Sequence, residues 1–331
     1  MGKGCTLLAI LIPGLFCPSG WAAEPNTPEN GLDLRYYVEN DGGVFKPNHR
    51  TDRHYTSGVK LEATHRPVYP WETFLADRLF EDDPDHTNTA FGYALGQNIY
   101  TPDHIENPAP RQPNDRKYAG WLYGGIFLQH REDRRLDHVG VDLGVTGSEA
   151  LAEDSQKRIH EWFDGNKPVG WENQLGFEVG ANFIWQRKWK TETKQLAGSI
   201  EADWVGSAGL LAGTIDRYVN GSAMLRVGCN LPDDFGPGHI NNEPATANAL
   251  IGPGRSARSF YGYTRLGGRA IEENRFLTGL SHEVFVGDLQ VGLMYRSGRF
   301  ALGYAQTFLT REFDGQSGKD DYATFQVFWQ F

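Results

Sequence analysis

The sequence predicts an all-β chain, a 12-stranded antiparallel transmembrane β-barrel with a helix in an extracellular loop. Three observations carry the prediction. The only unbroken apolar run lies at the N-terminus, between a basic start at Lys3 and the small residues Ala22 and Ala23, which is the plan of a secretory leader. The remainder alternates apolar and polar residues in segments of roughly ten, the period of a half-buried strand. The chain closes on Phe325, Val327, Trp329 and Phe331 along one face of a last strand, an aromatic finish suited to a membrane boundary. A secreted β-sandwich or propeller would give the same period. The terminal Phe331 and the density of Trp and Tyr at strand ends favour a closed barrel, since lipid cannot solvate an open sheet edge.

In order, residues 1–23 read as the leader and 24–331 as the barrel. Cysteines 5 and 17 leave with the leader, so Cys229 is expected to be the only cysteine of the mature chain, with no intramolecular disulfide. A formal charge of −10 in 331 residues excludes nucleic acid as a natural partner. The first strand is the clearest: Leu32, Leu34, Tyr36 and Val38 alternate with Asp33, Arg35, Tyr37 and Glu39. Further strands are expected near 54–65, 88–100, 118–131, 136–147, 175–189, 194–205, 210–228 (internally bent), 257–268, 283–296, 299–312 and 321–331. With the N-terminus in the periplasm, loops after odd strands are extracellular, including 41–53, 101–117 and the longest, 148–174. Residues 66–87 interrupt the scheme with an amphipathic piece on the periplasmic side, read as an interfacial helix.

The one clearly helical stretch lies in the third outer loop. Gln156 and His160 are four apart and share a helix face. Packing of the helix through Ile159, Trp162 and Phe163, with a merely solvated His160, is the plain alternative. In the first hairpin, Asn40 and Asp41 end one strand and Thr56 lies near the start of the next. Strand parity places Asp41 and Thr56 inward at the outer rim, with Tyr55 and Ser57 on the apolar face. Such oxygens suit a hard cation such as calcium, although Asn-Asp-Gly-Gly is also ordinary turn chemistry. Arg116 and Lys117 form a basic pair at the membrane surface suited to a phosphate. No Gly-x-Ser-x-Gly elbow is present, so a histidine base acting on water is better supported than a serine nucleophile.

Three blocks together resemble the outer-membrane lipid A 3′-O-deacylase family of Gram-negative bacteria. They are Glu39-Asn40-Asp41 with Thr51 to Gly58, Asp115-Arg116-Lys117-Tyr118-Ala119-Gly120-Trp121, and Gln156 to His160 with Gly170 to Leu175. The resemblance runs from about residue 31 to Phe331. It implies a calcium-dependent esterase releasing the 3′-linked acyloxyacyl chain of lipid A, by a mechanism similar to that of secreted phospholipase A2. Carried over by position, His160 is the general base, Gln156 orders the site, Asn40 and Asp41 lie at the Ca2+, and Thr56 is a further site hydroxyl. Ser57 and Lys117 depart from the family pattern, which often has Asn and Pro there. The expected partners are lipopolysaccharide and the outer membrane, with the chain a monomer. A non-enzymatic barrel (porin or structural) and an outer-membrane phospholipase are the alternatives.

Overall fold

The computed structural model describes residues 31–41, 52–81, 83–106, 115–163, 167–241 and 258–331. The expected leader and its cleavage site lie outside these residues. The strands are β1 (Asp33–Asn40), β2 (His54–His65), β3 (Thr89–Thr101), β4 (Ala119–Glu132), β5 (Arg135–Thr146) and β6 (Val179–Lys190). They continue with β7 (Lys194–Ala197), β8 (Ile200–Gly213), β9 (Asp216–Cys229), β10 (Arg258–Asn274), β11 (Phe285–Ser297), β12 (Phe300–Leu309) and β13 (Asp320–Gln330). Each strand pairs antiparallel with the next in sequence, except that β6 skips β7 and pairs with β8. β1 pairs with β13 from Asp33↔Gln330 to Asn40↔Ala323, which closes the ring. β7 is only a short arm folded onto β8, so the barrel has the expected twelve strands, and closure leaves no backbone edge to be solvated.

Several strand boundaries differ from the sequence reading: β6 begins at Val179 rather than near 175, and β10 runs on to Asn274 rather than ending near 268. The segments at 194–205 and 210–228 are in fact the β7 arm, which turns at Gly198 (φ 57°) into β8, and then β9. The true hairpin turn is Thr214-Ile215, which contains no Gly, Pro, Asn or Asp. Without that chemical punctuation, it passed for a bend inside one strand. The expectation that Cys229 forms no disulfide turns on Cys5 and Cys17, which lie outside the described residues.

Alternation along the strands separates two environments. On β1, Arg35, Tyr37 and Glu39 are buried, while Tyr36 and Asn40 are exposed. Leu61, Leu95, Leu143, Leu266, Leu293, Leu302 and Phe325 stand exposed around the wall, the outward apolar band of a membrane barrel. The lumen is charged and paired. Arg226 and Asp203, both fully buried, meet at 2.7 Å, and Arg269 meets Glu312 at 2.6 Å. Burying such charges is tolerable only because each has a partner and hydrogen bonds.

The stretch 66–87 forms α1 (Pro70–Leu79), as the amphipathic pattern implied. Glu72 accepts the N–H groups of Val68 and Tyr69, satisfying donors that the helix start leaves open. Its other oxygen receives the Tyr93 hydroxyl, and Trp71 sets its edge on Phe91 at 4.9 Å. Phe91, Tyr93 and Leu95 alternate with the lumen-facing residues of β3, so α1 lies against the outside of the wall. It leaves Trp71, Phe74 and Leu79 exposed.

Candidate active site

At the opposite end of β3 and β4 a second helix, α2 (Ala152–Phe163), leans on the same outer side of the wall. Gly120 allows its approach, since a Cβ there would stand 2.5 Å from the Ala152 Cβ. Beneath the helix Ile99, Ile105, Tyr118, Ala152 and Trp171 form a small core. The Trp171 ring stacks on Tyr118 at 4.5 Å, and its Nε1–H donates to Gln156 Oε1 at 2.9 Å. Thus α2 is held through Ala152 and Gln156. Ile159 and Trp162, which the plain reading of the helix used for packing, are exposed, Trp162 to 78 %.

That docking turns His160 toward the barrel, where its Nε2 lies 2.5 Å from Asp52 Oδ2. Asp52 is held by its backbone. Its carbonyl accepts from Thr101 Oγ1 at 2.9 Å, and Thr101 Oγ1 shares a 2.7 Å hydrogen bond with Thr56 Oγ1. The Thr56 carbonyl in turn accepts from the Asp41 backbone N–H at 3.0 Å and from Asn40 Nδ2 at 3.3 Å. One hydrogen-bonded chain therefore joins His160, Asp52, Thr101, Thr56, Asn40 and Asp41. Asp52 and Thr101 are the members that sequence reasoning missed. Asp52 sits in the Thr51-to-Gly58 block, but its partner is distant in sequence and nothing local announces it.

The expected inward direction of Thr56 is corrected. A bulge in β2 matches Tyr55 to Tyr100 and Ser57 to Ile99, leaving Thr56 as the extra residue. Tyr55 therefore turns into the lumen, where it donates to Glu39 Oε2 at 2.7 Å and packs on Tyr322. Thr56 stays with Thr101 on the outer side, beside the α2 core. A bulge re-aims every residue before it, and parity counted through it fails. Asn40, exposed, has the outward parity too, whereas Asp41 is buried.

Asp41 Oδ2 accepts the Arg53 backbone N–H at 2.8 Å. Burial holds its carboxyl well above the usual carboxylate range, and the neighbouring charges of Asp52, Asp320 and Asp321 raise it further. The Arg53 side chain fans out to Asp320, Asp103 and the carbonyls of Ser317 and Lys319, tying three loops at this rim. His54 meets Asp320 at 2.7 Å behind it.

The basic pair is split. Arg116 is 1 % exposed, lies over the Tyr100 ring at 4.6 Å and reaches Glu312 at 3.4 Å, inside the lumen. Lys117 alone is exposed. The expected surface pair is divided because adjacent residues of an extended segment point to opposite sides.

No His, Cys, Asp and Glu cluster of three or more with metal-binding geometry forms among the described residues. A hard cation nonetheless fits the donor chemistry. Asp41 is a carboxylate in an acidic field, and the remaining ligands would be neutral oxygens and water, as calcium accepts.

The profile of the family described as "Outer membrane protein LpxR" matches residues 6–331. Among solved structures, "LpxR from Salmonella typhimurium" superposes with a TM-score of 0.71 at 16 % identity, covering 90 % of this chain and 99 % of that one. The β domain of the Bordetella autotransporter BrkA covers 92 % of this chain and 100 % of its own at 10 % identity, but its TM-score of 0.44 marks only a general barrel likeness. No curated protein matches the sequence.

Proposed function

The chain belongs to the LpxR family of outer membrane proteins, and from that premise we propose that it is a calcium-dependent lipid A 3′-O-deacylase with its active site at the extracellular rim. The observation that carries the reading is where the His160–Asp52 pair stands. The pair joins α2, which packs on Gly120 and over Ile99 of the barrel wall, to the loop before β2. A site so directed meets lipid, not solutes passing through a pore. The filled, charged lumen also speaks against a porin.

In this reading Asp52 holds the His160 ring through Nε2 and orients the imidazole as the base for water. As His160 takes the proton, the Asp52 carboxylate stabilises the imidazolium. Water adds to the ester carbonyl carbon, the ester C–O bond breaks, and the proton passes from His160 to the departing sugar oxygen. Asp41, with oxygen donors such as the Asn40 amide, would hold the calcium, which would supply charge stabilisation for the developing oxyanion. Thr56 holds Asp52 in place through Thr101. Gln156 docks the helix, and its Nε2, buried without a hydrogen-bond partner among the described residues, offers a donor to the substrate. Lys117 is the basic contact for a lipid A phosphate, and Arg116 is retained by Glu312.

Mass spectrometry of lipid A from cells with and without the protein tests the assignment. Loss of the 3′-linked acyloxyacyl mass is expected only in cells that carry it. Unaltered lipid A alongside cleaved glycerophospholipid would reassign it to a phospholipase, and no cleaved lipid at all would end the enzymatic reading.

A further inference from the structure

Between β9 and β10 the chain does not simply turn. Residues 231–239, apart from half-buried Asp233 and Asp234, are buried inside the barrel, and Asn241 is too. At its base Leu231 and Phe235 pack with Met224, Tyr261 and Met294. Asp233 takes Arg131 at 2.6 Å and also pairs with Lys190, while Asp234 pairs with Arg226. Arg131 and Lys190 stand at the end of the barrel away from α2. Gly236 (φ 84°) is required where the segment turns under Met224, whose Cε would lie 2.2 Å from any Cβ. From there the segment climbs until its tip meets β1. The backbone N–H groups of Ile240 and Asn241 donate to Glu39 Oε1 and Oε2 at 2.7 and 3.0 Å. Tyr55 and Thr324 donate to the same carboxylate at 2.7 and 3.1 Å, and the Asn241 carbonyl accepts from Tyr322 at 3.3 Å.

A fully buried carboxylate that collects four donors, two of them from a lumenal segment, is a keystone rather than a filler. Charge-assisted hydrogen bonds of this kind are the strong ones. Glu39 lies in β1 two residues before Asp41, which follows the strand's last residue Asn40, about 7 Å away along the chain. We propose that residues 231–241 form a strut through the lumen and that Glu39 is a positioning residue, transmitting the grip of the strut to Asp41. The proposal rests on the reading of Asp41 as a cation ligand. It gives the lumen a task other than transport: bracing the strand end that carries the site.

The test uses the refolded full barrel in detergent, with its fold verified by heat-modifiable migration. Calcium binding is measured by titration calorimetry and backbone exchange of 231–241 by mass spectrometry. Glu39→Gln keeps the side-chain shape but turns an amide NH2 toward donors. Asn241→Pro removes one strut N–H and changes no charge. Both are expected to weaken calcium binding and to speed exchange of 231–241, each by about tenfold or more, the consequence of losing a charged hydrogen bond. Asp41→Asn should abolish calcium binding and leave that exchange unchanged. Loss of binding in Asp41→Asn with wild-type binding in both other variants would overturn the strut alone. Weakening in Glu39→Gln but not in Asn241→Pro would also overturn it, because the effect would then be the field of the carboxylate. Normal calcium binding by Asp41→Asn would remove the cation reading and this proposal with it.

Discussion

Replacing Asp52 by Asn tests the proposed catalytic pair most sharply. The backbone carbonyl of residue 52 keeps its Thr101 partner, so the loop should hold its path. What is lost is a carboxylate 2.5 Å from His160 Nε2, with the two side chains 15 % and 13 % exposed. At an effective dielectric near 20, opposite charges about 4 Å apart gain roughly 4 kcal/mol. Residual solvent around both groups trims that to about 2–4 kcal/mol of support for the imidazolium. By transition-state arithmetic the expected loss is roughly 30–1,000-fold in turnover. His160→Asn removes the base itself and should cost about 10²–10⁴-fold. Because the two residues act as one unit, the double variant should be no slower than His160→Asn alone. The assay is release of the 3′ acyloxyacyl chain from purified lipid A at saturating calcium, on barrels of equal heat-modifiability. Turnover within about threefold of wild type for Asp52→Asn, or multiplicative losses in the double variant, would refute the pair.

The wild-type rate should rise with pH as the His160 imidazole deprotonates, since only the neutral ring accepts a proton; a rate falling over that range would exclude it as base. Asp41 titrates above the ordinary carboxylate range because it is buried beside Asp52, so protons should compete with calcium at mildly acid pH and apparent calcium affinity should fall there. For the calcium-free protein the sign is opposite. A carboxyl raised in the folded state adds stability that is complete below its unfolded value and is lost as pH rises through the folded one, so thermal melts without calcium should improve on acidification until other carboxyls dominate. Gln156→Ala should lower turnover less than His160→Asn while loosening α2, read as faster amide exchange over 152–163. Arg116→Ala should act on folding, since breaking a buried pair costs about 3–5 kcal/mol. Lys117→Ala should leave the fold intact and raise the apparent KM for phosphorylated lipid A.

The barrel was legible because each strand writes its two environments in alternate letters, and Asp321 to Phe331 is as plain in sequence as in β13. The failures fall where that code is silent. Thr214-Ile215 turns without turn residues, and the bulge at Thr56 shifts parity without leaving a mark. His160, Asp41 and Thr56 were found as separate signals, and the structure joins them in one network. Asp52 and Thr101 complete it through loop closure, which local pattern does not encode. The buried strut at 231–241 was equally hidden. Leu231-Pro232-Asp233-Asp234-Phe235-Gly236-Pro237 has the composition of an exposed loop, and only its pairing with Arg131, Lys190 and Arg226 accounts for its burial.

On the proposed reading, a site turned outward on the wall would change what concentration means for this protein. Its substrate would arrive by sideways diffusion within a leaflet, a two-dimensional pool in which supply is set by the fraction of lipids that carry the target bond. Diluting that lipid with inert neighbours at constant total lipid should slow the reaction, whereas diluting whole vesicles with embedded protein in buffer should not. Leaflet viscosity and lateral crowding then govern encounter, and the aqueous volume outside the cell drops out of the rate.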